Sequence, residues 1–241
     1  VNNRVMKGTL YITMSVSTVI NKTEFIQNFA FCGAPSFLIR NAETILIMSS
    51  FFIDNHLLGK NADQVTCRNN YKSGAVFHDI VKKITIKKCV FDGNLASGQD
   101  TKGAAVFLMK IAYAQNQENI FQNNYCHTHG SAIYLEKYYT FSLKDIMKNI
   151  RCRFINNTGY AVGGAIFIKG SSPFYLYNMF CTIIGNPCPV STLYIDTVST
   201  ILNKGCTFQN IFVPSTRTDV HIGLMHIDNA KVAENINCLF L

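Results

Sequence analysis

The sequence predicts an all-β fold, a right-handed parallel β-helix of about eight coils with about 31 residues in each coil. Three observations predict it. An aromatic or aliphatic residue followed three positions later by Asn recurs along the chain, a second apolar segment follows each such anchor, and a third alternating segment precedes the next anchor. One coil cannot bury its own apolar face, but coils stacked about 4.8 Å apart bury their faces together.

The first element of each coil is the anchor itself. Its copies are Phe25 with Asn28, Phe52 with Asn55, Phe91 with Asn94, Phe121 with Asn124, Phe154 with Asn157 and Ile183 with Asn186, and Phe208 and Phe240 extend the series. Successive anchors are separated by 25 to 39 residues, which is typical of loops of varying length between short strands. Each Asn is expected at a corner, either in left-handed backbone or bonded to the same group one coil away.

The second element contains two adjacent apolar columns. One column reads Phe37, Val76, Val106, Ile133, Ile166, Leu193 and Leu224, and the other reads Leu38, Phe77, Phe107, Tyr134, Phe167, Tyr194 and Met225. Strand side chains alternate, so one column must face away from the core. Either loops such as 59–73 or 95–102 cover it, or it is an interaction column for a partner or a glycan, with Phe77, Phe107, Tyr134, Phe167 and Tyr194 as its candidate residues.

The third element is a short alternating segment, as at 45–47, 84–86, 141–143 and 174–176. Just before each anchor, the residue two positions earlier shares its inward orientation. Four successive coils carry cysteine there, namely Cys152, Cys181, Cys206 and Cys238. Three interpretations stay open for this column, which are packed small hydrophobes, disulfides and metal ligands. Cys32, Cys67, Cys126 and Cys188 lie outside the column and are expected in turns.

Composition limits the functional classes. The net charge is +8, but the basic residues are scattered singly or in pairs, so no nucleic-acid partner is predicted. The carboxylates are dispersed and form none of the convergent pairs that glycoside hydrolysis requires. An enzyme is therefore the less favoured interpretation, and no cofactor or metal is expected. Asp79, Glu136, Lys169 and Asp196 share one column and are expected to form an exposed surface of mixed charge. The segment 126–129 is expected to be a polar turn rather than a metal site.

Two N-glycosylation sequons begin at Asn21 and Asn156. No run of 18 apolar residues occurs, so no transmembrane helix is predicted. The last residues open a repeat unit that is not completed, and we therefore expect residues 1–241 to form a single β-helix domain within a longer repeat protein.

One coil carries Phe154-Ile155-Asn156-Asn157 followed by Gly163-Gly164-Ala165-Ile166. This pairing resembles the Phe-x-x-Asn and Gly-Gly-Ala-Ile signature of the polymorphic membrane protein repeats, and weaker copies follow Phe91 and Phe121. The resemblance implies a pectin-lyase-like β-helix that is secreted or displayed on the cell surface. It also implies a structural or adhesive role, with other copies, surface or filament proteins, or glycans as partners. The alternative is a carbohydrate-active enzyme or a glycan-binding domain.

Overall fold

The computed structural model describes residues 4–5, 10–30, 34–58, 74–97, 101–137, 145–160, 162–170, 173–209 and 223–241. All regular elements within these ranges are β-strands, and they pair in parallel in each of three sheets. None of these residues lies in an apolar helix long enough to cross a membrane. The fold is an all-β parallel solenoid, which confirms the predicted fold class.

The strands are numbered in chain order, and each turn of the chain contributes to the three sheets in succession. The short sheet contains β1 (Arg4–Val5), β4 (Phe29–Ala30), β7 (His56–Leu57), β10 (Leu95–Ala96), β13 (Tyr125–Cys126) and β17 (Thr158–Gly159). The long sheet contains β2 (Leu10–Asn21), β5 (Phe37–Met48), β8 (Val76–Lys87), β11 (Val106–Gln117), β14 (Ile133–Glu136), β15 (Asp145–Ile150), β18 (Ile166–Lys169), β19 (Phe174–Met179), β21 (Ser191–Lys204) and β23 (Gly223–Ile236). The anchor sheet contains β3 (Glu24–Ile26), β6 (Phe51–Ile53), β9 (Val90–Asp92), β12 (Ile120–Gln122), β16 (Arg153–Ile155), β20 (Thr182–Ile184), β22 (Thr207–Gln209) and β24 (Leu239–Phe240).

About six turns are complete, fewer than the eight coils predicted. The anchor sheet has eight strands, whereas the short sheet has six among the described residues. In the seventh turn the segment that would join the short sheet carries Pro187 and Pro189, and proline cannot donate to a ladder. The third segments at 45–47, 84–86 and 174–176 lie in β5, β8 and β19. The segment 141–143 lies outside the described residues, and the corresponding strand is β15.

Single residues with left-handed backbone form the corners of each turn. One such residue interrupts each of the six long strands, at Met14, Asn41, Ile80, Lys110, Thr197 and Asn229. A second series separates the long sheet from the anchor sheet, at Lys22, Ser49, Lys88, Glu118, Arg151, Phe180, Gly205 and Asn237. A third series follows the anchor strands, at Gln27, Asp54, Gly93, Asn123, Asn156 and Gly185. These stacked single-residue corners turn the chain sharply, whereas longer segments join each short-sheet strand to the next strand of the long sheet.

The anchor aromatics form a continuous stack inside the solenoid, as the repeat predicts. The rings of Phe25, Phe52, Phe91, Phe121 and Phe154 lie 4.6 to 5.1 Å apart between centroids and are within 8° of parallel. They belong to one apolar cluster that extends to Phe208. Because the ring spacing matches the strand spacing of about 4.8 Å, each of these five turns adds one ring to the core. Ile183 takes the place of a ring between Phe154 and Phe208.

Two asparagine ladders run through the buried interior. In the first, each side-chain amide donates to the next Oδ1 at 2.8 to 3.0 Å, through Asn28, Asn55, Asn94, Asn124, Asn157 and Asn186. This confirms the predicted bonding between coils. The residue with left-handed backbone is the one before each ladder Asn. The alternative expectation, that the Asn itself has left-handed backbone, was therefore wrong. A second ladder, not predicted, joins Asn116, Asn149, Asn178, Asn203 and Asn235 at 2.8 to 2.9 Å.

Length variation in the repeat is concentrated at two corners of the turn. The frame from the start of β5 to the end of β7 has the same length as the frames β8 to β10 and β11 to β13. Segments of differing length join each short-sheet strand to the next strand of the long sheet, for example Leu57 to Val76 and Ala96 to Val106. Shorter insertions separate β14 from β15 and β18 from β19 within the long sheet. Insertions therefore leave the register of the three sheets unchanged.

Candidate functional site

The predicted cysteine column lies inside the solenoid as a ladder of thiols. Its members are Cys152, Cys181 and Cys206, which are buried, and Cys238, which is half-buried. All seven cysteines within the described residues are free. The Sγ of Cys181 donates to the carbonyl oxygen of Asn149 at 3.3 Å, and that of Cys206 donates to Asn178 at 3.3 Å. The thiols thus serve as packed donors, and oxidation of the column stays a prediction.

The surroundings of these thiols raise several of their pKa values. The hydrogen bond with Cys152 raises the pKa of Cys181 to about 12, and burial raises the pKa of Cys89 to about 11. The pKa of Cys206 is raised by its hydrogen bond with Cys181 and by burial. Since the thiolate is the nucleophile and the metal ligand, these raised pKa values favour the protonated, less reactive form of all three thiols.

Of the cysteines expected in turns, Cys126 and Cys188 are buried, and Cys126 lies in β13 rather than in a turn. Cys32 and Cys67 lie outside the described residues. No group of three or more His, Cys, Asp or Glu side chains within the described ranges is arranged to hold a metal ion.

The predicted interaction column faces away from the main core, but most of it is buried. Phe77, Phe107, Tyr134 and Phe167 are at most 7% exposed, and Tyr194 is half-buried. The rings of Tyr134, Phe167 and Tyr194 are stacked within 5° of parallel, at centroid distances of 4.9 and 5.0 Å. The column is therefore a second core rather than an open surface.

Segments of the chain itself cover this second core. Lys102, His129 and Val162 pair through parallel bridges on successive turns. The Nζ of Lys102 lies 5.0 Å from the ring centroid of Tyr134, and the ring of His129 lies 4.9 Å from that of Phe167. Lys102, at the end of the segment 95–102, thus contributes to the cover, while loop 59–73 lies outside the described residues.

The predicted column of mixed charge has the expected register but is partly buried. Asp79 and Glu136 both pair with Met109 on the intervening strand, and their exposed fractions are 4% and 3%. Asp79 lies 3.7 Å from both Arg40 and Lys110. Lys169 is exposed and Asp196 is half-buried.

The carboxylate of Glu136 lies 2.8 Å from the Nζ of Lys102, so it is paired, like that of Asp79. Burial raises the pKa of Asp79, and the charges of Lys110 and Arg40 oppose that shift. The expectation that this column forms an exposed surface was wrong for Asp79 and Glu136, which are buried and paired with cations, as buried carboxylates require. These acids hold strands together beneath the surface.

The sequons lie on the surface. Asn21 and Asn156 are both exposed, and Asn156 is one of the left-handed corner residues. The expectation that Asn156 points outward is therefore confirmed, since its neighbour Asn157 belongs to the buried ladder.

The side chains of segment 126–129 diverge. Cys126 contacts the carbonyl oxygen of Thr101 through Sγ at 3.5 Å. The ring of His127 stacks on Tyr160 at 5.1 Å, and His129 packs on the second core. The three potential ligands therefore have different neighbours.

A flat surface of lysine and tyrosine side chains covers the outer side of the long sheet after its corner. We call it the Tyr–Lys face. Register places on it Lys83, Thr85, Lys87, Tyr113, Gln115, Gln117, Ile146, Lys148, Ile150, Tyr175, Tyr177, Met179, Thr200, Leu202 and Lys204. All are half-buried or exposed. Four are lysines, three are tyrosines, and this set contains no Asp or Glu.

Lysines and tyrosines alternate in a diagonal across four rungs of this face. The Nζ of Lys83 lies 5.8 Å from the ring centroid of Tyr113, and the Nζ of Lys148 lies 5.9 Å from the rings of both Tyr113 and Tyr177. The Tyr113 hydroxyl donates to Oε1 of Gln115 at 2.7 Å. The cation–π geometry holds the ammonium groups close to the sheet. The result is a positively charged surface with ordered rings and amides.

Sequence reasoning missed the Tyr–Lys face. The alternating segments at 84–86 and 174–176 did contain Thr85 and Tyr175 as outward residues. Lys148 could not be assigned to the same surface, because the third segment of its coil was predicted at 141–143 instead of in β15. The face could have been recognised from the outward residues at equivalent positions of successive turns. Those positions can be aligned only when the register of every turn is known.

The glycine pair of the paired motif has a clear structural role. Gly163 has a φ of 71°, and a Cβ at this position would lie 2.9 Å from the Cβ of Phe167. A Cβ on Gly164 would lie 2.7 Å from the carbonyl oxygen of Asn186. The two glycines let the chain pass directly over the second core before Ile166 enters the main core. The glycine pair of the motif thus determines the backbone path in this part of the turn.

Comparison with known proteins agrees with this assignment. The family model of the Chlamydia polymorphic membrane protein repeat matches residues 151–169. This segment comprises β16, β17 and β18 and includes both halves of the paired motif. No curated protein and no solved structure matches the chain. The chain therefore contains a segment similar to the polymorphic membrane protein repeat, within a parallel β-solenoid.

Proposed function

We propose that this chain is an extracellular or cell-surface module whose solenoid holds an adhesive surface away from its point of attachment. The observation that carries the proposal is the polymorphic membrane protein repeat at residues 151–169. The exposed sequons at Asn21 and Asn156 agree with an exterior location, because N-glycans are attached to exposed segments of secreted proteins.

The interior of the fold supports the mechanical part of this role. A continuous phenylalanine stack and two asparagine ladders connect successive turns, so neighbouring turns are fixed to each other by both packing and hydrogen bonds. Solenoids of this kind are extended along one axis, and each turn contacts only its neighbours. Such a rod can present one surface over a long distance.

The proposal is tested by locating the protein and by measuring attachment. Antibodies raised against the purified chain should label intact, non-permeabilised source cells. Beads coated with the chain should attach to target cells, and soluble chain should compete with them. Beads coated with albumin provide the control.

Two results would contradict the proposal. Labelling restricted to permeabilised cells would place the protein inside the cell. Attachment no greater than that of albumin beads, with a correctly folded chain, would remove the adhesive role.

A further inference from the structure

We propose that the Tyr–Lys face binds an acidic polysaccharide, a glycan chain that carries carboxylate or sulfate groups. This inference deepens the adhesive role and rests on the proposed exterior location, where such glycans are the accessible polyanions. It rests equally on the charge and the chemistry of the face.

Charge complementarity favours an anionic occupant. Lys83, Lys87, Lys148 and Lys204 project from the face, and the outward positions of β8, β11, β15, β19 and the second half of β21 include no carboxylate. By contrast, Lys82 and Lys88, at neighbouring corners, lie 2.6 and 3.9 Å from Glu43 and Glu118. The lysines on the face are therefore available for anionic groups, while the corner lysines have acidic partners.

The tyrosines favour a sugar as the carrier of those anions. The faces of aromatic rings carry negative charge density and attract positively polarised hydrogens, such as the C–H groups of a pyranose ring. Tyr113, Tyr175 and Tyr177 are half-buried, and the Nζ of Lys148 lies over the rings of Tyr113 and Tyr177. Gln115 and Gln117 add amide groups that can bond to hydroxyls.

The same geometry disfavours nucleic acid. Single-stranded nucleic acids bind in positively charged grooves in which aromatic rings stack on bases. Here the rings lie on the outer side of a parallel sheet, and the outward strand positions of the face include no arginine. An extended glycan needs only a flat surface with charges at intervals along it.

Binding of the purified chain to immobilised heparin and polygalacturonate tests the proposal, with dextran as the neutral control. The chain should bind both acidic polymers and not dextran, and salt should weaken the binding because the contacts are between exposed charges. Lys83→Gln with Lys148→Gln should lower the affinity about tenfold or more, since charge-assisted hydrogen bonds are lost. Tyr113→Ala with Tyr177→Ala should lower it by a similar factor while the salt dependence is retained.

The matched control is Lys82→Gln with Lys88→Gln, which removes the same net charge from corners outside the face. This pair should leave the affinity within about twofold of the wild type, because both lysines lie outside the face. The loss of their exposed ion pairs should change the stability of the fold little. Circular dichroism and thermal unfolding of every variant would check that each one folds.

Three results would overturn the inference. The first is that the chain binds neither acidic polymer. The second is that the two double lysine variants weaken binding equally, which would show that binding depends on net charge alone. The third is that single-stranded DNA or anionic lipid vesicles bind more tightly than the glycans and lose affinity in the same variants. The assay uses purified components, so its failure leaves the surface location to be judged by antibody labelling.

Discussion

His78 lies on the inward side of β8, between Ile39 and Leu108 of the neighbouring turns. Its side chain is fully buried, and neither ring nitrogen has a hydrogen-bond partner among the described residues. Burial lowers the pKa of this imidazole to about 3. The unfolded chain accepts a proton near pH 6.5, whereas the folded chain does not. Stability is therefore lost as pH falls below about 6.5 and continues to fall towards pH 3.

This residue predicts a specific acid sensitivity. Between pH 7 and pH 5, His78 should cost the folded state about 2 kcal/mol, at 1.36 kcal/mol per pKa unit. We expect His78→Leu, which matches the apolar column, to remove that part of the loss and to raise stability at pH 5. Urea unfolding at both pH values measures the effect.

His127→Leu is the matched control, because it removes a histidine from outside the core while His78 remains. That variant should retain most of the wild-type acid loss. If His78→Leu and the wild type showed the same loss between pH 7 and pH 5, the assignment would fail.

At the scale of elements, the asparagine ladder connects the anchor strands. The amide of Asn124 donates to Asn157 at 2.8 Å and to the carbonyl oxygen of Phe91 at 3.0 Å. Its Oδ1 accepts from the backbone nitrogen and the side-chain amide of Asn94 at 3.1 and 2.9 Å. All these groups are buried, so each depends on the ladder for its partner.

Asn124→Ala should therefore destabilise the fold by at least about 3 kcal/mol, because several buried groups lose their partners together. The comparison variant is Gln122→Ala, which removes a half-buried amide that donates to Asp92 at 2.8 Å. That change should cost less than about 1 kcal/mol. Urea unfolding compares the two, and equal losses would show that the ladder contributes no more than a surface bond.

The elements also explain what could be predicted from the sequence. The anchor stack and the opposite facing of the two second-strand columns follow from period-two alternation. Alternation places Phe91 in the interior and predicts that Phe107 and Val106 face opposite ways, but it does not say which of those two faces outward. Alternation of side chains could not predict which segments cover Phe107 and Tyr134. It depends on the bridge between Lys102 and His129, which joins segments from different turns.

The corners were harder still. Left-handed backbone usually predicts Gly or Asn, but here it occurs at Ile80, Lys110 and Phe180 as well. Position within the turn overrides the residue preference, because the neighbouring rungs hold the backbone on both sides. The buried ion pairs were missed for a related reason, because their cations come from other turns. Asp79 pairs with Arg40 and Lys110, and Glu136 pairs with Lys102.

At the scale of the whole molecule, each inner rung is hydrogen-bonded on two sides and each outermost rung of this chain on one. In β2 the exposed fractions of Met14 and Val16 are 82% and 73%, and every side chain described in β23 is half-buried or exposed. In contrast, the inward residues of β11 and β16 are buried. Stability in such a stack is the sum of intrinsic and nearest-neighbour contributions.

Amide hydrogen exchange should therefore be slowest in β11, β12, β15 and β16 and should become faster towards β2 and β23. Exchange followed by mass spectrometry of peptic peptides measures this gradient. Asn124→Ala should accelerate exchange in β9, β12 and β16 more than in β24. Uniform protection along the chain would contradict the gradient and indicate a single cooperative unit.

The variable corner between the short sheet and the long sheet has a consequence for evolution and for engineering. Any segment added between a short-sheet strand and the next long strand leaves the solenoid at the same edge, whichever turn receives it. Such additions can accumulate independently, because loop length costs little conformational entropy. The molecule is in this sense a display scaffold, in which a foreign peptide or a whole domain could be grafted at regular intervals along one edge of a rod.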